Sequence, residues 1–343
     1  MRDPAALLEA LVAQPDDLET LRVYADVLLE HGDLRGELIG VQLARLAGDT
    51  PELRAREAEL VDHVEPELQG ALASTSVLKG TWKLGFLDRL MIQQVGDEPI
   101  EATLIQLAAQ PAARRLRRIA IYAVAMVRGG ELAPAITELA RLAPAFPRLT
   151  AIALSIGSGG SADPDPQGTA GALAPLAQAY PGLEEIALGS RPFQLCDLAL
   201  PALRHLWIQE VRPGDVAALA AARLPALEEL DLWFGAWAVA DPAALLEPLL
   251  GRVQPALVTL AIGAAPANVL QHLARAVPGS TLAQRVRVLA FRRSVLDDAC
   301  VQHLVAWAPR LRALERLEVA GRRLSVGGRR LLEQTFGATL VVR

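Results

Sequence analysis

Apolar residues recur along most of this chain in one short pattern: apolar, two residues, apolar, one residue, apolar. It reads Leu87/Leu90/Ile92, Leu116/Ile119/Ile121, Leu149/Ile152/Leu154, Leu183/Ile186/Leu188 and Leu203/Leu206/Ile208. It continues as Leu227/Leu230/Leu232, Leu257/Leu260/Ile262, Val286/Leu289/Phe291 and Leu314/Leu317/Val319. First positions of these nine copies are 29, 33, 34, 20, 24, 30, 29 and 28 residues apart. The last two apolar positions of each copy alternate, which predicts a short strand with one buried face. Between copies, Ala133–Ala143, Thr169–Ala179, Val216–Ala222, Ala243–Leu250 and Ala299–Trp307 predict helices. A single strand and helix cannot bury their apolar faces alone, so the copies must stack. The central intervals of 20 and 24 leave little room for a full helix, and the stack is predicted to be uneven. The insertion from Gly157 to Gly168 is rich in glycine, serine and proline and reads as a mobile loop.

The first 84 residues follow a different period. Leu7, Leu8, Leu11 and Val12 share one helical face, and Pro15-Asp16-Asp17 ends it. Asp17 predicts the cap of a second helix with Leu18, Leu21, Tyr24, Ala25 and Leu28 inward. Gly32-Asp33 is the following turn, and Arg35 to Leu46 is a third helix with Leu38, Ile39, Gln42 and Leu46 on its inner side. A fourth runs from Glu52 past His63, so residues 47–84 are expected to form a helical bridge and cap, with Trp82 to Phe86 at its junction.

The string from Leu21 to Glu37 carries Tyr24-Ala-Asp26 and Glu30-x-Gly32-Asp33-x-Arg35. It resembles the repeat-companion domain, a bacterial N-terminal module found ahead of repeat arrays, over residues 4–46, with Val27 where that family usually has Trp. The resemblance implies company for a repeat array rather than chemistry. Capping and ion pairing inside a small bundle is the favoured reading of these charges, beside a dedicated binding role for Tyr24, Asp26 or Arg35.

The nine copies, and the closing stretch Leu324-Ser-Val-Gly-Gly328-Arg-Arg-Leu331-Leu332, resemble a leucine-rich repeat array of the long-period form over residues 85–343. That resemblance implies an α/β solenoid, with short parallel strands on a concave face and helices on the convex one. The usual repeat has Asn eight residues after its first Leu. This chain has Val95, Val124, Gly157, Arg191, Val211, Gly235, Ala265, Ser294 and Arg322 there. The turn amides must therefore be satisfied in other ways.

Composition narrows the class further. The chain has 343 residues, beyond the ~250–300 at which single cores stop growing, so two domains or an elongated array are expected. Its longest obvious apolar run, Ile119 to Val127, is too short for a membrane span, and the start, Met1-Arg2-Asp3-Pro4, meets acidic Asp16-Asp17 and lacks the apolar core of a signal peptide, so none is predicted. Only Cys196 and Cys300 are present, which excludes a disulfide framework and points to a reduced, cytoplasmic protein. The net charge of −5 is unevenly spread: residues 1–84 carry 8 basic and 16 acidic side chains, and residues 285–343 carry 12 and 5. The basic tail, Arg310, Arg312, Arg316, Arg322, Arg323, Arg329 and Arg330, reads first as a solvated cap and second as a surface for an acidic partner. The acidic overall balance makes nucleic acid an unfavoured partner.

Catalytic and ligand signals are weak. The glycines of 157–160 lack a following Gly-Lys-Ser/Thr, the five histidines show no metal spacing, and no nucleophile motif stands out. No cofactor and no metal are expected, and the chain reads as a non-enzyme. The third, fifth and seventh residues of each copy should face outward. Most are small, as in Ala151/Ala153/Ser155 and Thr259/Ala261/Gly263, but two adjacent copies present His205/Trp207/Gln209 and Glu229/Asp231/Trp233. With only 5 Trp in the chain, two outward indoles in a polar frame suggest a binding site, since Trp is enriched at interface hot spots. Tyr122 and Arg292 occupy outward positions of other copies and complete the expected partner-binding set. The competing reading has the 157–168 insertion or Phe234–Trp237 covering both indoles. The expected function is a protein–protein interaction module acting as adaptor, sensor or regulatory subunit. Regulation of a small GTPase, or an enzyme site near residues 157–168, are the alternatives.

Overall fold

Asp3, Asp17 and Thr50 each cap a helix by accepting backbone N–H bonds from its first turn, and they set the starts of α1 (Pro4–Ala13), α2 (Leu18–Glu30) and α4 (Pro51–Ala71). Helix α3 (Arg35–Ala47) lies between the last two. The computed structural model describes residues 3–72, 76–95, 98–124, 132–157, 170–189, 193–235, 247–251, 256–264, 267–294, 296–320 and 324–342. It divides into two compact units: Met1–Pro164 with Gln178–Tyr180, and Asp165–Ala177 with Pro181–Arg343.

In the first unit the four helices are followed by β1 (Val77–Lys83), β2 (Phe86–Gln93), α5 (Ile100–Ala108), β3 (Arg118–Val124), α6 (Leu132–Arg141) and β4 (Ala151–Gly157). Strand β1 corrects the expected helical bridge over 47–84. Exposed Val77, Lys79, Thr81 and Lys83 alternate with buried Leu78 and Trp82, the period of a half-buried strand. It pairs antiparallel with β2 through a two-residue turn in which Leu84 and Gly85 both have positive φ, 52° and 72°. That is the hairpin turn whose twist matches the strands it joins. Gln42 of α3 holds the turn: its Oε1 accepts from the Gly85 N–H at 2.9 Å, and its Nε2 donates to the Trp82 carbonyl at 3.1 Å. The turn then enters the helical core. Leu84 and Phe86 are buried with Leu8, Leu11, Leu21, Tyr24, Ala25, Leu28 and Ile39, and Phe86 stacks on Tyr24 with 5.8 Å between centroids. Strands β2, β3 and β4 run parallel, with Leu90, Ile119 and Ile152 in one register row and Ile92, Ile121 and Leu154 in another.

Helix α7 (Ala174–Ala179) precedes the strands of the second unit. These are β5 (Glu185–Gly189), β6 (His205–Gln209), β7 (Glu229–Phe234), β8 (Thr259–Ala264), β9 (Val288–Phe291), β10 (Arg316–Val319) and β11 (Leu340–Val342). All pair in parallel in chain order. The rows are homologous: Ile186, Leu206, Leu230, Leu260, Leu289, Leu317 and Leu340 stack across the sheet. Helices α8 (Pro213–Ala221), α9 (Ala267–Ala276), α10 (Asp298–Trp307) and α11 (Val326–Phe336) lie between strands in sequence. The interval of 20 residues between β5 and β6 holds no helix among its described residues, whereas the interval of 24 accommodates α8. The chain is thus an α/β protein with a largely parallel sheet in each unit, as repeated strand-and-helix modules require. Each of the nine sequence copies coincides with one of β2 to β10.

The turns without Asn find other partners. Ser294, 2% exposed, accepts from the Ala264 N–H at 2.7 Å and donates to the Arg292 carbonyl at 3.1 Å. Buried Gln94 donates from its backbone N–H to the Tyr122 carbonyl at 2.9 Å and from Nε2 to the Glu98 carbonyl at 3.0 Å. Among the described residues no helix is long and apolar enough to cross a membrane. The 157–168 insertion, apart from Gly157, lies outside the described residues, as do Trp237, Arg322 and Arg323.

Candidate functional site

Five of the outward-facing residues singled out above meet in the second unit. An open cavity of about 370 Å³ is lined by Glu185, Ile186, His205, Leu206, Trp207, Glu229, Asp231 and Arg292. Its polar side chains come from equivalent positions of adjacent strands, because the parallel register sets Glu185 beside His205 beside Glu229, and Trp207 beside Asp231. Arg292 reaches the cavity from beyond β9. The intervening strand β8 presents only Thr259, Ala261 and Gly263 outward, so a long side chain can lie across it. Gly263 is needed there: a Cβ at that position would meet the Arg292 carbonyl oxygen, come within 2.8 Å of Trp233 Cδ1 and lie 2.9 Å from Ser294 Oγ.

The charges form a network. Arg292 Nη1 lies 2.6 Å from Glu229 Oε1 and 3.4 Å from Asp231 Oδ2, and its Nε lies 3.6 Å from Glu318 Oε2. Arg316 Nε pairs with Glu318 Oε1 at 2.9 Å. Arg293 Nη2 pairs with Asp231 Oδ1 at 3.1 Å, and its guanidinium sits 4.7 Å over the Trp207 ring. His205 Nδ1 is 3.7 Å from Glu229 Oε2. Burial pushes the Asp231 carboxyl above its ordinary range, with Arg293 and Arg292 opposing that shift. Burial would lower Arg292, but Glu229, Asp231 and Glu318 hold it above its usual value. The network therefore fixes the side chains, while Trp207 stays half-buried on the cavity wall.

The other expected residues lie elsewhere. Trp233, next on β7, is seated over Gly263 with its indole N–H buried and no acceptor beside it, and it does not line the cavity. Gln209 pairs in register with Trp233 and is likewise outside the lining. Tyr122 is exposed on β3 of the first unit. Arg293, the eighth residue of its copy, falls outside the expected outward positions; its backbone is left-handed (φ 54°) and its guanidinium lies over Trp207. Glu318, at the fifth position of the last copy, lies beside Arg292 and pairs on its other oxygen with Arg316, at the third position.

The Cys300 thiol, 1% exposed, is pushed up to about 12 by burial, while Cys196 is exposed. Among the described residues no group of three His, Cys, Asp or Glu is placed to hold a metal ion. In the first unit, Arg35 forms a fork with Asp33 at 2.5–3.1 Å beside buried Tyr24, while Asp26 is exposed. Chemically, the cavity of the second unit offers carboxylate acceptors, one guanidinium and an indole face, a set suited to holding a hydrogen-bonding side chain against an apolar wall.

No family model matches the chain, and no curated protein matches it. Among solved structures it is similar to the crystal structure of a protein from Bacteroides fragilis determined by a structural genomics consortium. The TM-score is 0.60 and the identity 15%, over 83% of this chain and 83% of that one, a likeness of fold.

Proposed function

We propose that this chain is a non-enzymatic protein–protein interaction module: a leucine-rich-repeat solenoid preceded by a repeat-companion-like helical module, acting as adaptor, sensor or regulatory subunit. The carrying observation is the cavity on the outward face of β5 to β7, where Trp207 stands among Glu185, His205, Glu229, Asp231 and Arg292. An indole in a polar frame is the composition of an interface hot spot. The ion network that holds the frame keeps its side chains ordered before a partner arrives, which lowers the entropy cost of binding. The partner is another protein, which would place a donor-bearing side chain against Trp207.

The test is affinity capture from the native cell followed by mass spectrometry. Trp207→Ala is expected to weaken capture of the specific partner by about tenfold or more, in line with hot-spot truncations. The same change should leave the melting temperature within a few degrees, since Trp207 is only half-buried. Tyr122→Ala, in the first unit, is the comparison. Capture that is equal in wild type and Trp207→Ala would sink the assignment of this site.

A further inference from the structure

A second cavity, of about 100 Å³, lies in the first unit and is lined by Pro15, Asp16, Lys83, Leu84, Phe86, Leu87, Asp88, Arg115, Arg117 and Arg148. Four cations line it against two carboxylates. Asp88 is already engaged by Arg117, at 2.5 and 3.1 Å, and by Arg89 at 3.6 Å. Asp16 sits at the exposed rim.

Arg115 is the informative residue. Its guanidinium lies 5.0 Å over the Phe86 ring, and its Nη2 donates to the Pro15 carbonyl at 2.8 Å. Its Nη1 is buried and has no acceptor. A buried guanidinium N–H without an acceptor is costly, and a second cation beside it adds to the cost. Burial lowers Arg115 below the usual arginine value, and Arg148 lowers it further, against an opposing pull from Asp16. Arg148 has no carboxylate paired with it among the described residues, and Lys83 is exposed beside them.

We infer that this cavity binds a small tetrahedral oxyanion: inorganic phosphate, or the phosphoryl group of a phosphorylated side chain. Such a group would accept charge-assisted hydrogen bonds from Arg148 and Lys83 on the cavity wall and would neutralise the like-charged pair Arg115 and Arg148. The cavity admits a group of a few non-hydrogen atoms, which matches a phosphoryl head rather than a nucleotide. The walls are firm, because Phe86 and Leu84 belong to the helical core and Arg115 is clamped between Phe86 and Pro15.

The experiment uses the full chain, with inorganic phosphate and O-phosphoserine as separate titrants at constant ionic strength, read by calorimetry and by melting temperature. Wild type should show saturable binding and a rise in melting temperature. Arg148→Ala, expected to fold as wild type because no ion pair is lost, should weaken binding about tenfold or more. Phosphate also stabilises proteins non-specifically by exclusion from their surface. A rise in melting temperature equal in wild type and Arg148→Ala therefore overturns the proposal, as does the absence of a binding isotherm with both titrants. Tighter binding of O-phosphoserine supports the site with a phosphorylated side chain as the source, and tighter binding of inorganic phosphate supports it with the free ion.

Discussion

Gly85→Ala is expected to destabilise the first unit by about 3 kcal/mol, since a left-handed non-glycine residue costs roughly 1–2 kcal/mol and overpacking a filled core costs roughly 1–3 kcal/mol more. Gly85 has φ 72°, and an added Cβ would press on Ile39 Cγ1, come within 2.8 Å of Ile39 Cδ1 and lie 3.1 Å from the Arg35 carbonyl oxygen. Ile39 is 0% exposed and belongs to the helical core, so it has nowhere to move. The Gly85 N–H also donates to Gln42, so displacing the turn leaves a buried amide oxygen without its donor. For a unit of this size the expected loss is roughly 6–12 °C in melting temperature. Because two units need not unfold together, hydrogen exchange resolved by peptide is the sharper readout, with lost protection in α1 to α3 and β2. Gly40→Ala is the contrast. Gly40 is exposed within α3 with open space at its Cβ position, so alanine there should stabilise by about 0.5–1 kcal/mol. If Gly85→Ala melts with wild type, the packing of this turn against α3 is wrong.

Asp215→Asn is the second expected large effect, and its sign depends on pH. Asp215, 6% exposed, stands in the first turn of α8 and accepts the Arg212 N–H at 2.8 Å. Burial raises its pKa to about 6, against the opposing pull of Arg212. Between the unfolded value near 3.8 and about 6, the folded chain holds a proton that the unfolded chain has released. Stability therefore falls as pH rises through that window and levels off above it, by up to about 3 kcal/mol for a shift of this size. Asparagine keeps an acceptor for the Arg212 N–H without a charge to bury. Favourable interaction of a carboxylate with the helix start reduces the gain, so the variant should be about 1–2 kcal/mol more stable at pH 7. The check is the difference between variant and wild-type melting temperatures across pH 4 to 7, expected to grow with pH. A flat difference would mean that Asp215 is not held protonated.

Much of the fold was legible because it rests on local periodicity. The apolar pairs Leu90/Ile92 through Leu317/Val319 alternate at period two, and each became a strand with those residues buried. Asp17 capped α2 as its residue type suggested. Strand β1 is not legible in the sequence because Val77 to Lys83 follows a long helix with no copy of the repeat pattern, and its alternation is short and interrupted by Gly80. β11 is only three residues, Leu340–Val342, and joins by extending an existing sheet edge rather than by a pattern of its own.

The candidate site divides in the same way. Outward positions follow from the period, so His205, Trp207, Glu229 and Asp231 could be named as neighbours from the spacing of their copies. Which of them share a cavity could not. Trp207 and Trp233 occupy the fifth and seventh positions of adjacent copies and both are expected to face outward, yet Trp233 settles onto Gly263 while Trp207 faces Arg293 and the cavity. The oxyanion cavity of the first unit left no local trace either, since Pro15, Lys83, Arg115 and Arg148 are far apart along the chain. The sequence by itself determined where the strands lie, which rows of residues are buried and which face outward, because backbone geometry converts spacing directly into faces. Only the tertiary structure decided that the helical module and the hairpin share one core, that Arg292 crosses β8 to Glu229, and that Arg115 is left with a buried, unanswered N–H. Those outcomes depend on distances between residues remote in sequence, and on side-chain volumes such as the missing Cβ at Gly85 and Gly263, which periodicity does not encode.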